Sequence, residues 1–239
     1  MNYLNIILLF GGAISGGLAI FLFKNDNQQK LKLILSFSGA YLFAITVLHL
    51  LPDVYAGGDK MVGLYILGGF ILQIILEQFS DGIEHGHLHK HSHSHTVSFP
   101  YGIMLSLCLH AFLEGMPLSS NNNNQLVYGI AIHHIPAAFA LGSVLLQNHI
   151  SKVYTVILLV GFALMSPLGY IFSNGLSQGN FGDLSRYYQS IMGIVIGIFL
   201  HISTTILFES TVDHKFTFKK TLAVLMGIGI ALTGYFLEH

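Results

Sequence analysis

The sequence predicts an all-α, polytopic membrane protein with eight transmembrane helices. Of its 239 residues, 53% are hydrophobic and only 9% are charged, whereas soluble domains carry about 25% charged residues. The mean hydropathy is +0.66, and the apolar runs approach the roughly 20 residues of helix that span a bilayer. Little polar chain remains between these runs, so residues 1–239 are predicted to form a single transmembrane domain without a soluble domain.

Short polar connections divide the chain into eight apolar segments. These are residues 4–23, 31–51, 61–79, 101–118, 126–146, 153–173, 188–208 and 221–237. The first lacks a preceding basic region, so it is expected to stay in the mature protein. Small residues recur within the segments, as in GGAISGG at 11–17 and GIVIG at 193–197. Such residues let transmembrane helices approach closely, which favours a tightly packed bundle.

The distribution of basic residues predicts the orientation, because cytoplasmic connections are enriched in Lys and Arg. Eight of the ten basic residues lie in, or within two residues of, connections that follow odd-numbered segments, and only Lys60 and Arg186 follow even-numbered ones. Both termini are therefore expected outside the cell. The third connection, residues 80–100, is expected in the cytoplasm.

That third connection is rich in histidine. Within DGIEHGHLHKHSHSH, histidine occupies every second position, at His85, His87, His89, His91, His93 and His95. A tract of this composition can bind metal without folding, and without fixed geometry it should exchange ions readily and discriminate weakly among them. Cytoplasmic metal capture is therefore favoured over a neutral solubilising connection.

Ionisable residues also lie inside the fourth segment, where they are costly and usually mark a pathway or a binding site. His110 and Glu114 are four positions apart, so they lie one turn apart on one helix face. Imidazole and carboxylate groups are both zinc ligands. This pair alone is as compatible with a polar contact between helices as with a metal site.

The fifth segment carries a second polar pair, His133 and His134, followed by Pro136. Adjacent helical residues point about 100° apart, so one histidine is expected to face the first pair and the other a different wall or a second position. Pro136 removes a backbone hydrogen bond and releases a carbonyl near both histidines. Two such pairs, each followed by proline, favour a metal site over helix packing.

Together these features resemble the ZIP (Zrt/Irt-like) family of divalent metal transporters. The positions that match its fourth- and fifth-segment motifs are His110, Glu114, Gly115, His133, His134 and Pro136. HLLPD at 49–53 is similar to the end of the family's second segment, and the resemblance covers essentially the whole chain. It implies a transporter, not an enzyme, that moves zinc into the cytoplasm. Imidazole and carboxylate ligands also suit other divalent metals less selectively, so Fe²⁺, Mn²⁺ and Cd²⁺ are the alternative ions.

Three positions depart from the family's pattern. Ala111 stands where the family commonly has Asn, Ala137 where many members have a carboxylate or histidine, and Ser166 where bacterial members often have Glu. In two-metal members these positions contribute to, or neighbour, a second metal position. The resemblance therefore implies one principal ion.

That ion is expected to bind His110, Glu114 and His133, with His134 nearby in an altered second position. The family further implies that segments one, four, five and six move against segments two, three, seven and eight, and that the protein is a homodimer. The chain contains no nucleotide-binding motif, so it is not expected to hydrolyse ATP.

Other polar residues lie within or beside the apolar segments. His201 and Glu209 are eight positions apart in the seventh segment and so share roughly one face. They are equally typical of an ion path, in which both side chains bind metal, and of a contact between helices. His49 and Asp53 either guide cations inward or form an interface pair, and Glu77 is more typical of a solvated helix end than of a metal exit surface.

Other functional classes fit the sequence less well. An intramembrane zinc protease would need an H-E-x-x-H motif, which the chain lacks, and a cation exporter would have fewer spans and a soluble metal-binding domain. The net charge of −1 gives no reason to expect nucleic acid as a partner. The expected partners are a metal cation and the lipid bilayer, and a membrane metal sensor with little transport activity is the alternative function.

Overall fold

The computed structural model describes residues 3–22, 28–80, 100–119, 124–180, 187–209 and 217–238. Within these ranges the chain is helical and contains no strand, so the predicted all-α fold is confirmed there. The α-helices are α1 (Tyr3–Ala19), α2 (Gln28–Ile45), α3 (Leu51–Ala56), α4 (Val62–Ser80), α5 (Tyr101–Gly115), α6 (Asn124–Gln147), α7 (Lys152–Ser177), α8 (Tyr188–Glu209) and α9 (Phe218–Glu238).

Seven helical stretches in the described part of the chain are long and apolar enough to cross a membrane. They are Leu31–Ala56, Val62–Phe79, Tyr101–Leu118, Gln125–Gln147, Lys152–Ser177, Tyr188–Phe208 and Phe218–Leu237. They follow the second to eighth predicted segments in order, as expected of a multi-pass membrane protein. Helix α1 is apolar but has only 17 residues, so the eighth span stays a prediction.

The second span contains a wide turn just before its proline. Residues Thr46–Leu50 form one π-helical turn between α2 and α3, and Pro52 follows in the first turn of α3. Because proline clashes with the carbonyl four residues earlier, a widened turn is a common way to keep such a helix continuous. His49 lies in this turn, buried edge-on against the Tyr235 ring at 5.3 Å.

The helices pack in two groups. In the first, α1 packs against α6 and α7, and α7 also packs against α5 and α6. In the second, α2 packs against α8 and α9, and α4 packs against α8. The two groups meet largely where α2 contacts α6 and where α4 contacts α5. Both helices that carry the predicted metal ligands, α5 and α6, therefore belong to the first group.

Glycine allows the close approach of helices within each group. A Cβ atom at Gly16 of α1 would overlap the backbone carbonyl of Ile135 in α6, and one at Gly197 of α8 would overlap that of Ile66 in α4. Close approach through small residues is how transmembrane helices gain packing energy when lipid is as apolar as the side chains. Glycines of both GGAISGG and GIVIG, among them Gly16 and Gly197, thus lie at helix contacts.

The fraction of its residues buried by other helices shows whether a helix lies at the centre or at the edge of the bundle. In Gln125–Gln147, 78% of the residues of the most apolar stretch are buried within the protein, against 17% in Phe218–Leu237. Helix α6 is therefore central and α9 peripheral, with apolar side chains such as Leu225 and Met226 exposed on its surface. This arrangement buries His133 and His134 of α6 within the protein.

Candidate metal site

The candidate site lies between α5 and α6. Helix α5 holds His110 and Glu114 one turn apart and then tightens into a 3₁₀ turn at Met116–Ser119, which contains Pro117. Helix α6 carries His133 and His134 and continues through Pro136. The three histidine side chains and the Glu114 side chain are all buried, with at most 1% of their surface exposed. The structure thus brings the two predicted polar pairs together at one place in the bundle.

One oxygen of Glu114 faces two imidazole rings. Its Oε1 lies 3.4 Å from His110 Nε2 and 3.8 Å from His133 Nε2, and His110, Glu114 and His133 each offer a ligand atom within 4.8 Å of the others. Ligand atoms around a tetrahedral zinc ion, each about 2.1 Å from the metal, lie about 3.4 Å apart. These three side chains are therefore spaced to bind a single cation.

Several polar atoms of this cluster have no hydrogen-bond partner among the residues that the structure describes. They are both ring nitrogens of His110 and Oε1 of Glu114. Buried polar atoms normally have partners, and leaving one without a partner costs about 1–3 kcal/mol. A cation between these side chains would satisfy Oε1 and one nitrogen of His110 together.

His134 approaches the other oxygen of Glu114. Its Nε2 lies 2.6 Å from Glu114 Oε2, and its ring is edge-on to Phe162 of α7, with 5.8 Å between ring centroids. Adjacent histidines were expected to point in different directions. Instead both reach the same carboxylate and divide its two oxygens between them.

The three positions that depart from the family pattern lie beside this cluster and contribute no imidazole or carboxylate. Ala111 and Ala137 are buried in one apolar cluster with Phe162. Ser166 of α7 is also buried, and its backbone carbonyl packs against Gly115, next to Glu114.

His201 of α8 lies in the second helix group, away from this cluster, and pairs with Glu77 of α4. Its Nε2 is 3.5 Å from Glu77 Oε2, and its ring is edge-on to Phe70 at 4.9 Å. Glu77, expected at a solvated helix end, is instead partly buried. Helical spacing within one segment could not reveal this pair, because its members lie on different helices. The side chain of Glu209 lies outside the described part of the chain.

The remaining sequence candidates do not join the cluster. His49 is buried beside Tyr235, whereas Asp53 is exposed and lines a depression with Tyr188 and Gln189 of α8. The six histidines of the 81–95 tract, predicted to bind metal, lie outside the described residues, as do Asp81 and Glu84.

Comparison with known families points to the same part of the chain. A family model described as ZIP Zinc transporter matches residues 98–233, which is more than half of the 239 residues. The matched region contains α5, α6, α7 and α8 and hence all four side chains of the cluster. No curated protein matches the chain significantly.

Proposed function

Since the chain belongs to the ZIP zinc transporter family, we propose that it moves zinc across the cell membrane into the cytoplasm through a site formed by His110, Glu114 and His133. Members of this family transport divalent metal ions and are not enzymes, so the proposal concerns the ion, its direction and its ligands. The observation that carries it is the buried set of two imidazoles and one carboxylate spaced for one cation.

The chemistry of these ligands supports zinc as the preferred ion. Imidazole nitrogen suits zinc and other transition metals, whereas magnesium, calcium and manganese favour oxygen ligands. Three protein ligands leave one tetrahedral position for water. Fe²⁺, Mn²⁺ and Cd²⁺ are the alternative ions. One carboxylate neutralises only half of the charge of a divalent ion, which suits cargo that must bind and then leave.

We propose that α1 completes eight spans in a ZIP-like bundle. Its 17 residues rise about 26 Å, close to the hydrocarbon thickness of about 30 Å. Gly12 and Gly16 of α1 pack against the backbone of Ala131 and Ile135 in the middle of α6, so α1 shares the depth of a longer span. With eight spans, the distribution of basic residues supports an orientation with both termini outside and residues 80–100 in the cytoplasm.

The two helix groups suggest how access to the ion alternates. We propose that α1, α5, α6 and α7 move together against α2, α4, α8 and α9, carrying the ion with its ligands. The ion would then leave toward the histidine tract that follows α4, which captures it in the cytoplasm. We infer that His201, beside Glu77, and Glu209 belong to the exit side of this path. The family resemblance also supports a homodimer.

Zinc uptake separates a role of the membrane core from a role of the histidine tract. In a zinc-uptake-deficient strain and in vesicles, His110→Ala is expected to lower the initial rate of radiozinc uptake by about tenfold or more, because losing even a group that only orients a ligand costs about 10–100-fold in affinity. Replacing the six tract histidines by serine should leave the rate within about threefold, because labile capture follows transport.

His149→Ala is the matched control, since His149 is exposed and lies after α6, and its uptake should equal wild type. Unchanged uptake in His110→Ala would contradict the core site, and loss only in the tract variant would move the essential chemistry to the tract. Zinc binding by wild type without any uptake would instead favour the metal sensor.

A further inference from the structure

We propose that His134 is a positioning residue that helps to set the choice of ion, and that it is not a ligand of the transported ion. It holds one oxygen of Glu114, presents the other oxygen to the ion, and so favours zinc over ions that prefer oxygen, such as manganese. This inference rests on the proposed function of His110, Glu114 and His133 as the transport site.

The first argument is the division of the Glu114 carboxylate. Oε2 lies 2.6 Å from His134 Nε2, whereas Oε1 lies 3.4 Å from His110 Nε2 and 3.8 Å from His133 Nε2. Metal binding requires Glu114 to be ionised. An ionised carboxylate only accepts hydrogen bonds, so in the metal-binding state His134 Nε2 carries the proton and donates it. A ring nitrogen that bears this proton has no lone pair for a metal. The hydrogen bond and coordination through Nε2 therefore exclude each other.

The second argument is that both partners of this hydrogen bond are held in place. The His134 ring is buried and lies edge-on to Phe162. Glu114 is fully buried, and the next residue, Gly115, packs against the Ser166 carbonyl of α7. Helix α5 packs chiefly on α7 and α6 chiefly on α1, so the hydrogen bond from His134 is a direct polar link between the two ligand-bearing helices.

The third argument connects the hydrogen bond between His134 and Glu114 to the choice of ion. With Oε2 engaged, Glu114 offers a metal one oxygen, and the site consists of two nitrogens, one oxygen and room for water. This set matches four-coordinate zinc. A carboxylate with both oxygens available can bind in a bidentate manner, which ions with more oxygen ligands use. Removing the donor at position 134 should therefore weaken zinc binding and improve the relative binding of manganese.

The test compares His134→Leu with His134→Gln in the whole chain with its six tract histidines replaced by serine, so that the tract contributes no metal binding. Glutamine retains an N–H donor for Oε2, and leucine does not. Zinc and manganese affinities are measured by competition with a chelating dye. Leucine is expected to lower zinc affinity about 10–100-fold, as when a partner of a ligand is lost, and to lower the zinc-to-manganese affinity ratio about tenfold. Glutamine should stay within about threefold of the parent on both measures.

X-ray absorption of the zinc-bound parent protein gives an independent reading. We expect two imidazoles and one carboxylate oxygen around the ion. A third imidazole would overturn the inference, as would a glutamine variant that loses as much affinity as leucine, or a leucine variant with an unchanged ion ratio. If the leucine variant fails to fold, the spectra and the glutamine variant still decide.

His110→Ala separates this inference from the proposed function. Undiminished zinc binding in His110→Ala would contradict the transport site itself. Loss of binding in His110→Ala, combined with three imidazoles in the parent protein, would leave that site intact and refute only the role of His134.

Discussion

Replacing Glu114 by glutamine is expected to abolish zinc uptake, with a rate at least about a hundredfold below wild type. All three histidine side chains of the cluster approach the Glu114 carboxylate. Glutamine keeps its size but not its charge, and removing one partner of a buried charge pair costs about 3–5 kcal/mol. A divalent ion would then enter a buried site without the carboxylate charge that offsets its lost hydration.

Glu77→Gln is the matched control, because it makes the same substitution at a partly buried carboxylate that also contacts a histidine, His201. Its uptake should fall by less than about tenfold, since Glu77 is outside the three-residue cluster. Radiozinc uptake is normalised to the amount of folded protein in the membrane. Equal losses in the two variants, or normal uptake in Glu114→Gln, would show that Glu114 has no special role.

Replacing Gly16 by alanine is expected to have the largest effect on stability. The added methyl would overlap the backbone carbonyl of Ile135, and a carbonyl within α6 cannot rotate away as a side chain can. Helices α1 and α6 must therefore separate. Overpacking commonly costs about 1–3 kcal/mol, and a contact against backbone belongs at the upper end or above it. Because Ile135 follows His134 directly, uptake should fall as well.

Gly11→Ala makes the same change in the same helix, where an added methyl has no neighbour within 4 Å. Thermal unfolding in detergent should show a clear loss for Gly16→Ala and none, or a small gain from higher helix propensity, for Gly11→Ala. Similar unfolding temperatures in the two variants would mean that α1 does not pack closely on α6.

Much of the helical layout follows from hydropathy alone, because lipid requires helices of similar length that satisfy their own backbone. The spacing of His110 and Glu114 likewise predicts a shared face, since helical geometry fixes it. Contacts between helices are harder to predict. The pairing of His201 with Glu77 depends on how α8 packs against α4, and the approach of both His133 and His134 to Glu114 depends on side-chain reach as well as direction. Pro52 predicts a disturbance in the second span, but not that it takes the form of a π turn.

The polar atoms of His110 and Glu114 that have no hydrogen-bond partner among the described residues have a thermodynamic consequence. Any ion that binds them only in the folded protein adds its binding free energy to the free energy of unfolding, by about 2.7 kcal/mol when its concentration is a hundred times its dissociation constant. Unfolding temperature should therefore rise with the concentration of each ion in the order of its affinity. The unfolding temperature in detergent therefore ranks the candidate ions by affinity without a transport measurement.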